Sequence, residues 1–164
     1  MNWIGPFTIE EILDHCLDES FPKPPDKNSV YLISLNLWER CPSENCVPLY
    51  VGSNTGKGAR FRTRIGDLIV DMFGFYQSQS GHSSGGKSLH NYCKDKKINP
   101  KNLYIAWLDE CTCGRCSELE WYNLLAPKLN KKSPPSCRQP HSQCDVQLTS
   151  RQSSARLLGK KSAT

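Results

Sequence analysis

The sequence predicts a mixed α+β domain, on three observations. Two short runs, SVYLISLNL at 29–37 and PLYVG at 48–52, have the β-branched and aromatic content of buried strands and lie one loop apart, so they pair most simply as an antiparallel hairpin. Phe61, Ile65, Leu68, Ile69 and Met72 fall at the spacing of one buried helical stripe across residues 59–73. A third strand-like run, NLYIAWL at 102–108, is flanked by helical stretches on both sides.

In chain order, Thr8-Ile-Glu-Glu11 reads as a capping box that opens a helix with Ile9, Ile12, Leu13 and Cys16 on one face, ending near Glu19. FPKPPDKN at 21–28 is a linker, and WERCPSENCV is the loop of the hairpin. After the helix at 59–73 comes a glycine- and serine-rich loop at 74–86, of a length that usually serves function or mobility, and then a helix at 87–95. The last helix is expected at 117–126, where Ser117-x-x-Glu120 has the form of a second capping box. Beyond residue 130 the chain has no apolar periodicity and is rich in Ser, Gln and Pro, the composition of a disordered tail. The expected division is an N-terminal helix and linker at 1–28, a folded domain at 29–130 and a basic tail at 131–164.

With 164 residues and 37% hydrophobic content, the chain can bury a core without covalent staples. Met1 to Phe7 lacks the basic start and apolar stretch of a secretory signal. The longest aliphatic run thereafter, Leu68-Ile69-Val70, is far below a membrane span. The expectation is a soluble intracellular protein, cytoplasmic or nucleoid-associated, with no membrane partner. Nine cysteines, an odd number, then read as free thiols or metal ligands and not as a disulfide framework. The net charge of +5 is uneven: residues 1–130 hold 14 Lys/Arg against 15 Asp/Glu, and residues 131–164 hold seven against Asp145 alone. An anionic partner must therefore be argued from the placement of particular residues, not from total charge.

Three features carry chemistry. Gly52-Ser-Asn-Thr-Gly56-Lys57-Gly58 looks toward a P-loop, but it is one residue short and lacks the hydroxyl that would hold Mg²⁺, which argues against nucleotide binding. Tyr31 shares a strand face with Ile33 and Leu35, and a hairpin centred near residues 40 and 41 places it roughly opposite Tyr50. Two phenols then meet on one sheet face, either as plain aromatic packing or as a site. Glu118 stands in helical register with Trp121, Tyr122 and Leu125, on the apolar side of its helix. It is either a functional carboxylate or a first-turn acid favoured by the helix dipole.

Together these residues resemble the GIY-YIG nuclease family. The resemblance rests on a strand with Val30-Tyr31-Leu32, a second ending Tyr50-Val51-Gly52, a helix with Phe61-x-x-Arg64-Ile65, and Glu118 followed by Pro127-x-Leu129-Asn130, and it covers about residues 29–130. It implies a small three-stranded antiparallel sheet flanked by helices and an endonuclease that hydrolyses DNA phosphodiesters with one divalent metal ion, Mg²⁺ or Mn²⁺. RNA is a further substrate within the same chemistry.

Carried over by position, the resemblance makes Tyr31 the group that takes the attacking water's proton, which calls for a pKa lowered from roughly 10. Arg64 holds the non-bridging phosphate oxygens through its planar fork. Glu118 holds the Mg²⁺, a metal content with one carboxylate plus water and substrate oxygens. Tyr50 positions water or phosphate, Gly52 lets the backbone approach the substrate, and Asn130 takes the place of the family's terminal asparagine. Two departures stand out. Ser29 replaces the first glycine, and Leu68 occupies the position where many members carry a histidine. His82, Lys87 or His90, around GHSSGGKSLH, could supply the missing proton handling. Cleavage of both strands of a duplex requires two active sites, as in a homodimer, or two visits by one.

The remaining cysteines form Cys41-x4-Cys46 in the hairpin loop, Cys111-x-Cys113-x2-Cys116 before the last helix, and Cys137-x3-His141-x2-Cys144 in the tail. A structural zinc needs four such ligands. If the third strand runs antiparallel to the first, Cys41 and Cys46 leave the opposite end of the sheet from the 111–116 group, which then combines more easily with a tail ligand. The basic tail could add salt-sensitive phosphate-backbone binding. Two other function classes stay open: a nuclease-like module that binds nucleic acid without cutting it, and a zinc-stabilised interaction protein.

Overall fold

The computed structural model describes residues 2–26, 28–54, 61–75, 84–109, 111–135 and 137. The Gly56-Lys57-Gly58 segment, His82, His141, Cys144, most of the expected loop at 74–86 and nearly all of the tail lie outside the described residues.

The fold is mixed α+β, as expected, around one antiparallel sheet. The elements are β1 (Trp3–Thr8), α1 (Ile9–Asp14), β2 (Val30–Ser34), α2 (Pro42–Asn45), β3 (Pro48–Ser53), α3 (Phe61–Met72), α4 (Ser84–Lys96), a 3₁₀ turn (Pro100–Asn102), β4 (Tyr104–Leu108) and α5 (Gly114–Leu125). Strand order is β1-β4-β2-β3, so the sheet has four strands where three were expected. The additional strand, β1, was hidden because Gly5-Pro6 breaks its alternation and the register shifts between Ile4 and Phe7. A proline is tolerated there because β1 is an edge strand, paired among the described residues only with β4.

The central strand β2 is buried at all five positions because both sheet faces are covered. On one face Tyr31, Ile33, Ile105 and Trp107 pack with Phe61, Ile65, Leu68 and Met72 of α3 and Leu89 and Cys93 of α4. Full burial of each such side chain contributes about 1.5–3 kcal/mol relative to exposure. On the other face Val30, Leu32, Val51, Ala106 and Leu108 pack with Trp38 and with Trp121 of α5.

Several boundaries differ from expectation. The Thr8 capping box is present, with the Glu11 carboxylate 2.7 Å from the Thr8 amide, but α1 ends at Asp14 and not near Glu19. Helix α4 starts at Ser84, three residues early, taking in Gly85 and Gly86, which the sequence pattern assigned to a loop. The third expected strand begins at Tyr104, after a 3₁₀ turn. Helix α5 also starts early, with Cys113 as its N-cap, which overturns the Ser117 capping box: the Ser117 amide donates to the Cys113 carbonyl at 3.0 Å, inside the helix, and Ser117 is buried. Glu118 is thereby moved out of the first turn, beyond the range where the helix dipole alone explains a carboxylate.

Helix α5 closes on Ala126 in the left-handed conformation, and the chain then runs beside β3. Lys128 and Leu129 amides donate to the Pro48 and Leu49 carbonyls. Asn130 continues the pairing with its side chain, accepting from the Val51 amide at 2.9 Å and donating to the Val51 carbonyl at 2.8 Å. The free edge of β3 is thus covered without a further strand.

Candidate active site

Strands β2 and β3 end together where Tyr31 pairs with Gly52 and Val30 with Ser53. Tyr50 therefore faces Ile33, not Tyr31 as the sequence-based register placed it; the irregularity between Ile33 and Ser34 and the helical turn in the loop account for the two-residue difference. The two tyrosines are diagonal neighbours on one face, their rings stacked with centroids 6.2 Å apart. Glycine is required between them. A Cβ on Gly52 would lie 2.5 Å from Tyr31 Cζ and 2.9 Å from Tyr50 Cε1, and one on Gly85 would lie 2.5 Å from Tyr50 Cζ.

Arg64 comes from the first turn of α3, on the face of the sheet that carries the tyrosines. Glu118 comes from α5, which covers the other face, and reaches the site around the strand end. Ser53 fixes it there, donating to Glu118 Oε2 at 2.5 Å. Helix α5 begins close by: Gly114, its first residue, packs beside Ser53 and the Asn54 backbone.

The four groups influence one another electrostatically in every pairing. Burial is the main cause that raises the Tyr31 pKa; Tyr50 and Glu118 add to it and Arg64 opposes it. Burial, then Glu118, raises Tyr50, while Arg64 and a hydrogen bond with Ser84 lower it. Burial also raises Glu118, against the Ser53 hydrogen bond and the charges of Arg64 and Arg115. The expected acidification of Tyr31 is therefore not found: burial holds its pKa above that of an ordinary phenol, so the group is neutral. Its buried hydroxyl has no well-formed hydrogen bond among the described residues, although Arg64 approaches closely enough to pull on it. A fully buried hydroxyl beside a guanidinium and a carboxylate is a polar group set within an apolar core.

Of the supporting residues expected from the sequence, Gly52 is at the centre and Asn130 is not, because both ends of its amide are held by the Val51 backbone. Leu68 is fully buried in the apolar core beneath the sheet and faces no polar group of the site. His90 Nδ1 lies 3.1 Å from the Met72 carbonyl and its ring fills the space beside Gly74. That places it at the far end of α3 from Arg64, roughly 12 Å along the helix. Lys87 is exposed on α4. Ser53, Ser84, Gly85 and Arg115 were missed by sequence reasoning. For Ser53 a signal existed, since alternation along β3 sets it apart from Tyr50 and Gly52 and toward α5.

A second group of chemically capable residues lies at the start of α5. The sulfurs of Cys113, Cys116 and Cys137 lie within 4.8 Å of one another, close enough to hold a metal ion. The Cys113 thiol is acidified by the amides of Cys116 and Arg115 and by the neighbouring thiols, despite its partial burial. Cys111 stands outside the group: it donates to the Asn28 carbonyl at 3.2 Å, and burial pushes its pKa up to about 11. Among the described residues, no helix is long and apolar enough to cross a membrane.

Comparison with family models, curated proteins and solved structures gives no match for this chain.

Proposed function

We propose that the protein is a GIY-YIG-type, metal-dependent endonuclease that hydrolyses phosphodiester bonds in DNA. The observation that carries this reading is the meeting of Tyr31, Tyr50, Arg64 and Glu118, from four different elements, in one mutually interacting group at the end of β2 and β3. Packing alone has no use for an arginine and a carboxylate beside two buried phenols.

The residues present fit a divalent cation. Glu118 has no ion-pair partner among the described residues, and only one of its oxygens is occupied, by Ser53. Mg²⁺ or Mn²⁺ held by that carboxylate would offset the charge developing on phosphorus and cancel the upward pull of Glu118 on both phenols. Zinc, the softer metal expected from the sequence, has its donors in the thiol cluster and not here.

The chain's own groups divide the remaining work. Arg64 takes the non-bridging oxygens of the scissile phosphate, with two parallel hydrogen bonds that strengthen as negative charge builds up. The Tyr31 hydroxyl hydrogen-bonds the attacking water and, as a neutral phenol, passes that water's proton on to solvent, while the departing oxygen takes up a proton from solvent in turn. Tyr50, anchored by Ser84, fixes the orientation of that water or of the phosphate. Gly52 keeps the space between the rings open.

The test is cleavage of supercoiled, linear, branched and single-stranded DNA, and of RNA, with Mg²⁺, Mn²⁺ or EDTA, by wild type, Arg64→Ala and Glu118→Ala. Metal-dependent cutting lost in both variants supports the nuclease. Binding without cutting under every condition refutes it in favour of a non-catalytic module.

A further inference from the structure

The thiol cluster at the start of α5 plays no part in phosphodiester hydrolysis, and the packing around it leaves its existence unexplained. Cys113 is the N-cap of α5 and Cys116 lies in its first turn, so the two-residue spacing turns both sulfurs to the same end of the helix. Cys137 arrives from 21 residues further along the chain, with its sulfur 3.1 Å from that of Cys113 and 3.3 Å from that of Cys116. None of the three is in a disulfide and all are only partly buried, so they are not core residues.

Apolar burial contributes little along the way to Cys137. After the Asn130 clamp, Lys131, Lys132, Ser133 and Pro135 are exposed and only Pro134 is buried. A polar segment of this kind gains too little apolar burial to offset the entropy lost in returning to α5. The sulfur contacts to Cys113 and Cys116 are where it meets the helix.

We propose that Cys113, Cys116 and Cys137 bind a structural zinc ion that fastens the segment after Asn130 to the N-terminus of α5. Three sulfur donors select a soft metal, and zinc accepts them in a tetrahedron with bonds of about 2.3 Å, which sets sulfurs roughly 3.8 Å apart. From the present 3.1 and 3.3 Å the cluster reaches that separation by opening roughly 0.5–0.7 Å, within what a partly exposed side chain allows. Water completes the tetrahedron. Because Glu118 lies two residues after Cys116, the ion would also steady the helix that carries the candidate catalytic carboxylate.

The test uses the full chain, expressed in zinc-supplemented medium and purified without chelator. Elemental analysis is expected to find about one zinc per chain. Zinc should be lost in Cys116→Ser and Cys137→Ser and kept in Cys16→Ser, whose thiol is exposed and remote from the cluster. Should the two cluster variants fail to fold, cobalt substitution of the wild type reads the site directly, through sulfur-to-metal charge transfer and the visible bands of a tetrahedral ion. Zinc retained by folded Cys116→Ser and Cys137→Ser overturns the proposal, as does wild type that binds neither metal or carries a Cys113–Cys137 disulfide. Metal content is read without reference to cleavage, so a zinc-loaded chain that cuts nothing supports the site while refuting the nuclease.

Discussion

Ser53 hydrogen-bonds the Glu118 carboxylate at 2.5 Å, joining the last residue of β3 to α5 across the end of the sheet. The bond orients a carboxylate that its surroundings do not favour, since burial raises the Glu118 pKa above the usual 4.5. A raised folded-state pKa means that the folded protein binds the proton more tightly than the unfolded chain does. Ionised Glu118 therefore subtracts from stability, by an amount that grows as pH rises from 4.5 through the folded pKa and is absent below 4.5.

Glu118→Gln keeps an acceptor for Ser53 and removes the charge. In EDTA at neutral pH it should raise the melting temperature, in the range of common stabilising substitutions of about 0.5–2 kcal/mol. The gain should disappear below pH 4.5. Thermal denaturation of both proteins across pH checks this, and equal melting temperatures at neutral pH would refute it. Cleavage should be lost in the same variant, which separates the functional from the stabilising effect.

Gly52→Ala tests whether the ring spacing matters. The new methyl group would meet both Tyr31 and Tyr50, and overpacking of this kind costs about 1–3 kcal/mol. The variant should fold with a lower melting temperature and cut poorly, with Mg²⁺ unable to restore the rate. A folded variant with full activity would show that the rings need not hold this arrangement.

Arg64→Ala should lower kcat by about 100- to 1000-fold, the typical loss of one transition-state donor. Arg64→Lys should recover only part of it, because a single ammonium cannot reproduce the two parallel bonds of a guanidinium. An unchanged kcat with a raised KM would reassign Arg64 to simple substrate binding.

Much of this site could be read from the sequence because its parts are local. The phenols sit in strands whose alternation is visible, and Arg64 and Glu118 sit in helices whose apolar stripes fix their faces. Other features depend on contacts between distant segments. Strand β1 exists because β4 offers it an edge, and its own Gly5-Pro6 interrupts the pattern that would have announced it. The early start of α4 depends on Gly85 packing against the Tyr50 ring, so its glycines read as a loop until that ring is in place. The start of α5 was misread because Ser117 and Glu120 imitate a cap, while the true N-cap, Cys113, makes no side-chain capping bond.

Asn130 shows the same division most sharply, since resemblance put it among the site residues and the structure makes it an edge cover for β3. Its amide meets both polar groups of Val51, acting as a peptide unit supplied by a side chain. Asn130→Ala leaves the partly buried Val51 amide and carbonyl without these partners, at a cost of about 1–3 kcal/mol. Asn130→Asp keeps the acceptor for the Val51 amide but sets a carboxylate oxygen against the carbonyl, so it should destabilise at neutral pH and recover as acid protonates it. Both variants should keep the wild-type metal dependence and pH–rate profile in the fraction that remains folded. A catalytic role would instead appear as a lower kcat at unchanged melting temperature, and that result would return Asn130 to the active site.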